Sequence, residues 1–192
     1  MKKNIAIFIS GRGSNMEAII HEVHTGILKH ICEIKLIFSN RAKAGGIQTA
    51  KELGFPVAVI ESRGQNRKEL DSQIVDLLHP LNIDYIILAG YMRMISPVLL
   101  EKYSGRIINI HPADTRAYQG TKAYEWAFRN NLEKTFITVH YVDEGMDTGE
   151  VIDRWPVDLS RANTLEDIKK RGLAVEHKMY SWTLKKIFTQ MT

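Results

Sequence analysis

Three polar side chains, Asn109, His111 and Asp147, could together catalyse acyl transfer. An amide can hold a carbonyl oxygen, an imidazole can exchange a proton near neutral pH, and a carboxylate can orient that imidazole and favour its charged form. No serine or cysteine nucleophile is obvious beside them, so direct attack by an amine of the substrate is more plausible than an acyl-enzyme. The trio therefore predicts acyl transfer through a tetrahedral intermediate.

Other interpretations of these residues stay open. His111, His140 and Asp147 could be zinc ligands, but their spacing is not that of a compact zinc site and we expect no metal. His111 could also be an ordinary solvated or core-satisfied histidine at the end of a strand. Which interpretation applies depends on where the strands and loops place these side chains.

The apolar run of residues 107–110 predicts the strand that carries Asn109 and His111. Because successive side chains of a strand point to opposite faces, these two share one face. Pro112 then ends the hydrogen-bond ladder of the strand. Ligands of open α/β sheets collect at the carboxyl ends of strands, so both residues stand where chemistry is expected.

Alternating strand and helix signals predict an α/β fold, a single domain with a mostly parallel sheet and helices on both faces. The predicted parallel strands lie at residues 5–9, 34–38, 57–60, 85–88 and 107–110. After His111 a strand at 136–142 is expected to pair with 151–157, which forms an antiparallel extension near the C-terminus.

Two helices begin with recognisable capping residues. Asn66 is followed by Glu69, and Thr164 by Asp167, at the spacing of a capping box. The helix that follows Thr164 is the last of the chain, and four of its residues are expected to line one face: Ile168, Val175, Met179 and Trp182.

Length and composition limit the class of protein. The chain has 192 residues, of which 44% are hydrophobic and 25% charged, as expected for one globular domain. Its net charge of +4 is dispersed along the chain, so we expect no nucleic-acid partner. The single cysteine, Cys32, excludes an intramolecular disulfide and fits a reducing compartment. No stretch is long enough to span a bilayer, and we expect a cytoplasmic protein without a membrane partner.

A glycine loop near the N-terminus is a second candidate site, made of Gly11, Arg12, Gly13, Ser14 and Asn15. Glycines let backbone N–H groups approach an anion at the positive end of a helix dipole. The third glycine of a dinucleotide fingerprint and the Gly-Lys-Ser/Thr ending of a Walker loop are both missing, so a monophosphate is favoured over a pyrophosphate. The alternative is a tight turn in which Ser14 and Glu17 form a capping box.

An apolar loop at residues 89–97 follows the predicted strand at 85–88. Its methionines, Met92 and Met94, could line a slot for a flat ring. They could equally fill the core beneath the loop.

Four motifs resemble, in their order and spacing, the glycinamide ribonucleotide formyltransferases, a folate-dependent family of purine synthesis. They are the Gly-Arg-Gly-Ser-Asn loop at 11–15, Ala-Gly-Tyr-Met-Arg at 89–93, Asn-Ile-His-Pro at 109–112 and the stretch 140–149. The resemblance covers nearly the whole chain. It implies a single Rossmann-like formyltransferase domain over 1–192, with a phosphate-binding half at about 1–100 and a catalytic and folate half at about 101–192.

The resemblance implies transfer of a formyl group from 10-formyltetrahydrofolate, as co-substrate, to the amine of glycinamide ribonucleotide. Asn109, His111 and Asp147 match the catalytic trio of the family. Asn109 would hold the formyl oxygen, His111 would stabilise or protonate the oxyanion, and Asp147 would position His111 and assist proton transfer.

The resemblance also implies binding residues. The loop 11–15 matches the phosphate site of the ribonucleotide, and Glu176 stands where the family binds the ribose hydroxyls. The walls of the folate pocket would include Arg93, Met94, Ile95, Tyr141, Val142, Asp143 and Glu144. The expected partners are therefore glycinamide ribonucleotide and folate, bound by a monomer or a homodimer.

One segment departs from the family pattern. After His-Pro the family usually continues with Ser-Leu-Leu-Pro and a second Pro-Gly, but here residues 113–120 read Ala-Asp-Thr-Arg-Ala-Tyr-Gln-Gly. Arg116 and Lys122, in and beside this segment, could meet a phosphate or the folate tail, or be solvated. A formyl-folate hydrolase and a formyltransferase for another small amine are therefore alternatives. A third alternative is a non-catalytic module that binds a nucleotide phosphate through the glycine loop alone.

Overall fold

A mixed sheet of seven strands forms the centre of the computed structural model, which describes residues 1–190. The strands are β1 Lys3–Ile9, β2 Cys32–Ser39, β3 Val57–Val59, β4 Tyr85–Leu88, β5 Ile107–His111, β6 Lys134–Tyr141 and β7 Val151–Asp158. Their order across the sheet is β3-β2-β1-β4-β5-β6-β7. The first five pair in parallel, and β6 runs antiparallel to both β5 and β7. The predicted α/β fold is confirmed over these residues; residues 191 and 192 of the predicted domain lie outside them.

Both faces of the sheet are covered by helices. Within residues 1–190 the α-helices are α1 Ser14–His24, α2 Gly45–Glu52, α3 Arg67–Leu78, α4 Pro97–Lys102, α5 Ala123–Arg129 and α6 Leu165–Gln190. Helices α1, α2, α5 and α6 pack with Ile5, Ile7 and Ile9 in one core. Helices α3 and α4 pack with Ala6 and Phe8 in the other. Alternate residues of β1 thus enter different cores, as expected for a strand that is buried on both faces.

The predicted strands are all observed, and their ends differ from the prediction by at most two residues. Two predicted caps are confirmed as well. The side chain of Asn66 accepts a hydrogen bond from the Glu69 N–H at 2.9 Å. Thr164 and Asp167 exchange backbone-to-side-chain hydrogen bonds at 3.1 and 3.2 Å, which is a complete capping box.

Three details differ from the prediction. Ser14 does not cap α1, because Gly13 occupies the cap position with φ 83° and its carbonyl accepts the Glu17 N–H at 2.9 Å. Trp182 is 52% exposed, since the buried stripe of α6 runs through Met179 and its neighbours and leaves the indole outside. The six-residue helix α4 was not predicted. Its first residue, Pro97, belongs to the predicted loop at 89–97, and no element was predicted for residues 98–102.

The fold brings the loops that follow β1 and β4 together. These strands are neighbours in the sheet although they are far apart in the chain, so a crevice opens beyond their carboxyl ends. Ser10, which follows β1, joins the two loops: its N–H donates to the Gly90 carbonyl at 3.1 Å, and its hydroxyl accepts the Met92 N–H at 2.8 Å. No helix within residues 1–190 combines the length and the apolar character needed to cross a membrane.

Candidate active site

The pairing of β5 with β6 places Asn109 directly opposite His140. Residues that face each other in an antiparallel pair lie on the same side of the sheet, so their side chains meet. The Asn109 Nδ2 lies 3.2 Å from His140 Nε2. His140 Nδ1 lies 2.8 Å from the Tyr141 carbonyl, and its proton is therefore donated there. His140 Nε2 is then free to accept a hydrogen bond from the Asn109 amide.

Asp147 connects the other members of the site. Its Oδ2 lies 3.3 Å from His111 Nδ1 and accepts the Gly120 N–H at 2.8 Å. Its Oδ1 lies 3.5 Å from His140 Nε2 and accepts from the Asn109 amide at 3.3 Å. The structure thus brings together Asn109, His111 and Asp147, and it adds His140 as a fourth group.

Burial and charge oppose each other at His111 and Asp147. Burial lowers the pKa of His111, and the negative charge of Asp147 offsets part of this effect. Burial also acts to raise the pKa of Asp147, but the charge of His111 and the hydrogen bond from the Gly120 N–H act in the other direction, and the pKa lies below its ordinary value. An ionised carboxylate therefore faces an imidazole whose pKa is lowered, which can take up a proton and be stabilised as an imidazolium.

The second nitrogen of His111 also has a partner. His111 Nε2 lies 3.0 Å from the carbonyl oxygen of Tyr118, in the segment that departs from the family pattern. The ring of Tyr118 stacks on Trp126 at 4.9 Å between centroids. Because the partner is a backbone carbonyl, no side-chain type in the sequence could have indicated it.

The segment 113–120 is held by an ion-pair network. Asp114 accepts from the guanidinium of Arg154 in β7 at 2.6 Å and from that of Arg116 at 2.9 Å. The hydrogen bond from Arg116 and the charge of Arg154 keep the pKa of Asp114 below its usual value. Thr138 of β6 donates to the Ala113 carbonyl at 2.7 Å. Arg116 is thus paired within the protein, and Lys122 occupies the cap position of α5 with φ 66°.

A cavity of about 260 Å³ adjoins the catalytic candidates. The loop that follows β4 forms one wall, which includes Met92 and Met94, and the loop after β6 forms another. Met92 is 55% exposed, so it does not fill the core beneath its loop. The slot predicted for a flat ring therefore corresponds to one wall of this cavity.

The residues predicted to bind folate are placed unequally around the cavity. Five of them line it: Arg93, Met94, Ile95, Val142 and Asp143. Tyr141 and Glu144 do not belong to its lining. Asp143 accepts hydrogen bonds from Thr148 at 2.7 Å and from Gly145, which hold the loop in its turn.

Arg93 fixes the wall of the cavity rather than presenting its charge. Its two terminal nitrogens donate to the backbone carbonyls of Ser62 and Gln65 at 3.1 and 2.8 Å. The guanidinium is therefore already bound to the loop that precedes α3.

The predicted phosphate loop lies outside this cavity, at the start of α1. The Gly46 N–H donates to the Gly11 carbonyl at 3.0 Å, and a Cβ on Gly46 would lie 3.0 Å from the Arg12 carbonyl oxygen. The loop is thus packed closely on α2, while Gly11 and Arg12 remain exposed. At its end the Asn15 amide donates to the Glu176 carboxylate of α6 at 2.6 Å.

Sequence reasoning missed two groups of this region. Ser10 ties the loops after β1 and β4, and its only signal was a polar residue directly after a buried strand. Tyr124 donates its hydroxyl to Glu176. The two residues are far apart in the chain, so no local pattern links them.

Metal binding was a competing interpretation of the histidines. Among residues 1–190, no group of three or more His, Cys, Asp or Glu side chains is arranged to hold a metal ion.

Replacing Gly149 with alanine is expected to destabilise the fold by about 1–3 kcal/mol, the usual cost of overpacking. A Cβ at this position would overlap the carbonyl oxygen of Tyr141 and lie 2.9 Å from its carbonyl carbon. Backbone atoms cannot rotate away, so the turn that carries Asp147 has to shift. Urea unfolding measures the loss, and Gly11→Ala is the control because its added carbon meets nothing within 4 Å. Equal midpoints for the two variants would refute the steric argument.

The chain is similar to known proteins over nearly its whole length. Residues 3–184 match the family described as formyl transferase. The chain is 37% identical over 186 residues to the phosphoribosylglycinamide formyltransferase of Bacillus subtilis (strain 168). These residues make up 96% of this chain and 94% of the relative. The protein of the same name from Haemophilus influenzae is 33% identical over 95% of this chain and 86% of its own. The crystal structure of phosphoribosylglycinamide formyltransferase from Bacillus halodurans matches with a TM-score of 0.92 and 40% identity, over 99% of this chain and 97% of that one. The chain belongs to the formyl transferase family and, within it, to the phosphoribosylglycinamide formyltransferases.

Proposed function

We propose that this chain transfers the formyl group of 10-formyltetrahydrofolate to the amine of glycinamide ribonucleotide. One observation carries the proposal: Asp147 accepts a hydrogen bond from Asn109 and lies 3.3 Å from His111 Nδ1, and all three residues line one cavity. An acyl transfer by direct amine attack needs a group that holds the oxyanion and a group that accepts the proton of the amine, and this set supplies both.

The proposed reaction moves one acyl group and one proton. The amine nitrogen bonds to the formyl carbon, and the resulting oxyanion accepts hydrogen bonds from the Asn109 amide and from His111, whose Nε2 leaves the Tyr118 carbonyl to donate to it. The bond between the formyl carbon and N10 of the folate then breaks. The proton released by the amine passes through Asp147 and His111 to N10, so the products are the formylated amide and tetrahydrofolate.

The long contacts of Asn109 support its role. Its amide nitrogen lies 3.2 Å from His140 and 3.3 Å from Asp147, which are weak hydrogen bonds. An amide held this loosely can redirect a hydrogen to a formyl oxygen at little cost. His140 and Asp147 then serve to keep the nitrogen, and not the oxygen, of the amide toward the cavity.

The lining of the cavity supports a folate as the co-substrate. Its walls combine the methionines of the loop after β4 with the loop after β6, and a flat apolar slot suits a pterin ring. We assign Arg93, Met94, Ile95, Val142 and Asp143 to this pocket through their place in its lining, and Tyr141 and Glu144 as its flank.

The acceptor would lie on the other side of the trio. We assign its phosphate to Gly11, Arg12, Gly13, Ser14 and Asn15, whose loop opens the helix α1 and leaves Gly11 and Arg12 exposed. We assign its ribose to Glu176, since the hydrogen bond from Asn15 joins this carboxylate to the loop. A monomer or homodimer, a cytoplasmic location and the absence of a nucleic-acid partner stay predictions.

The altered segment 113–120 favours a second candidate, a formyl-folate hydrolase or a transferase for another amine. It contacts His111 directly through the Tyr118 carbonyl, so a change of acceptor could arise there.

An assay with purified protein separates these functions. Consumption of 10-formyltetrahydrofolate is followed with and without glycinamide ribonucleotide, and the formylated product is identified by mass. We expect consumption that requires the ribonucleotide. Consumption that is independent of it would favour the hydrolase or another acceptor, and binding of the ribonucleotide without turnover would favour a non-catalytic module.

A further inference from the structure

We infer that Tyr124 is a positioning residue of the acceptor site, which orients Glu176 to receive the vicinal hydroxyls of a ribose 5-phosphate group. The inference rests on the proposed function, because it takes Glu176 as the ribose-binding residue. It adds a residue of α5 that no motif indicates.

Glu176 is a buried carboxylate whose partners are neutral. It is 5% exposed, and within residues 1–190 no Lys, Arg or His nitrogen forms an ion pair with it. The Tyr124 hydroxyl donates to its Oε1, and the Asn15 amide donates to its Oε2 at 2.6 Å. A buried carboxylate without a cation needs further hydrogen-bond donors, and a ligand can supply them.

The free acceptor positions on Glu176 match a vicinal diol. A carboxylate offers two lone pairs on each oxygen, and Tyr124 and Asn15 occupy one on each. Among the described residues, one lone pair thus remains without a partner on each oxygen, which is the number that two neighbouring hydroxyls require. Asn15 Oδ1 is also buried and has no partner among the described residues, so it is a further acceptor beside the carboxylate.

A glycine in the middle of α6 makes room for Tyr124. Gly172 is buried, and a Cβ at this position would overlap the ring and hydroxyl of Tyr124. Alanine is the better helix former at an interior position, so a glycine there points to a packing requirement. The space left by Gly172, here called the notch, lets the phenol ring lie against α6 one turn before Glu176. This contact fixes where the hydroxyl reaches the carboxylate.

The first test compares Tyr124→Phe with the wild type in formyl transfer to glycinamide ribonucleotide. The variant keeps the ring in its notch and loses only the hydroxyl. We expect the KM for the ribonucleotide to rise about ten-fold, as for a lost hydrogen bond to a charged group. The kcat and the KM for the folate should change less than about two-fold, since a difference in KM alone marks a lost binding contact. Tyr103→Phe, in the other core, is the matched control.

Gly172→Ala provides an independent test of the same contact. It should raise the same KM by displacing the ring, and the double variant should be no worse than either single one, because both remove one interaction. Additive effects of the two changes would contradict a shared role. An unchanged KM in Tyr124→Phe would overturn the inference.

Binding of ribose 5-phosphate separates this inference from the proposed function. The wild type should bind it more tightly than 2-deoxyribose 5-phosphate, and Tyr124→Phe should lose that preference. Such a preference without any formyl transfer would refute the proposed function and leave the inference standing. If the wild type transfers formyl but Tyr124→Phe binds both sugar phosphates as the wild type does, the inference alone is refuted. A wild type that neither binds the sugar phosphate nor transfers formyl would refute both.

Discussion

Replacing His111 with alanine is expected to lower the kcat of formyl transfer by about 10²–10⁴-fold, the range for removal of a general acid or base. The imidazole lines the cavity and its Nδ1 lies 3.3 Å from Asp147, so the variant loses the proton-exchanging group that the proposed reaction uses. The KM for either substrate should change far less, because the phosphate loop and most of the cavity wall remain. Steady-state assays at saturating folate and ribonucleotide measure the loss.

A histidine away from the cavity serves as the control for this variant. His21 is an exposed residue near the end of α1, and His21→Ala should retain full activity. If His111→Ala kept more than about a tenth of the wild-type kcat, the role assigned to its proton would be wrong.

Asp147→Asn should lower kcat by about 10²–10³-fold although the side chain keeps its size. An amide cannot stabilise the imidazolium of His111 by charge, and its NH2 group would oppose either the Gly120 N–H or the Asn109 amide, both of which donate to the carboxylate. The variant therefore loses both the negative charge beside His111 and one of the hydrogen bonds that hold the side chain. A kcat profile against pH, together with folate binding measured separately, distinguishes lost chemistry from lost binding.

Asp76→Asn, on the exposed side of α3, is the matched control for removal of one carboxylate. Wild-type turnover in Asp147→Asn would mean that the proton of the amine leaves by another route. Equal loss of kcat and of folate binding would instead assign Asp147 to the structure of the loop.

The sheet was predictable because its strands are continuous apolar runs. The run at residues 5–9 and the run at 107–110 carry enough hydrophobicity to identify them without any tertiary information. Helix α4 was missed because its six residues, which begin with Pro97, show too little periodicity for a helix. Trp182 was placed by helical spacing alone, which cannot tell how wide the buried stripe of a helix is: Thr183 and Leu184 are buried, whereas Trp182 is exposed.

The catalytic trio was predictable only in part. Strand alternation put Asn109 and His111 on one face, whereas Asp147 was joined to them by its residue type and by the family motif. The meeting of Asn109 with His140 depends on the register of two strands, which the sequence does not state. The contacts of Glu176 with Tyr124 and of His111 with the Tyr118 carbonyl depend on packing between elements that are distant in the chain.

The antiparallel pairing of β5 with β6 fixes the position of Asn109 relative to His140. This position therefore does not depend on the segment that connects the two strands. His140 reaches Asn109 through the backbone ladder, so residues 112–133 can change in sequence without moving either side chain. This explains how residues 113–120 can depart from the family pattern beside an intact trio. Apart from the residues that contact the site, such as Gly120 and Tyr124, the connection is therefore free to diversify. Variation in the acceptor should accumulate between these two strands, while the strands that set the chemistry stay constant.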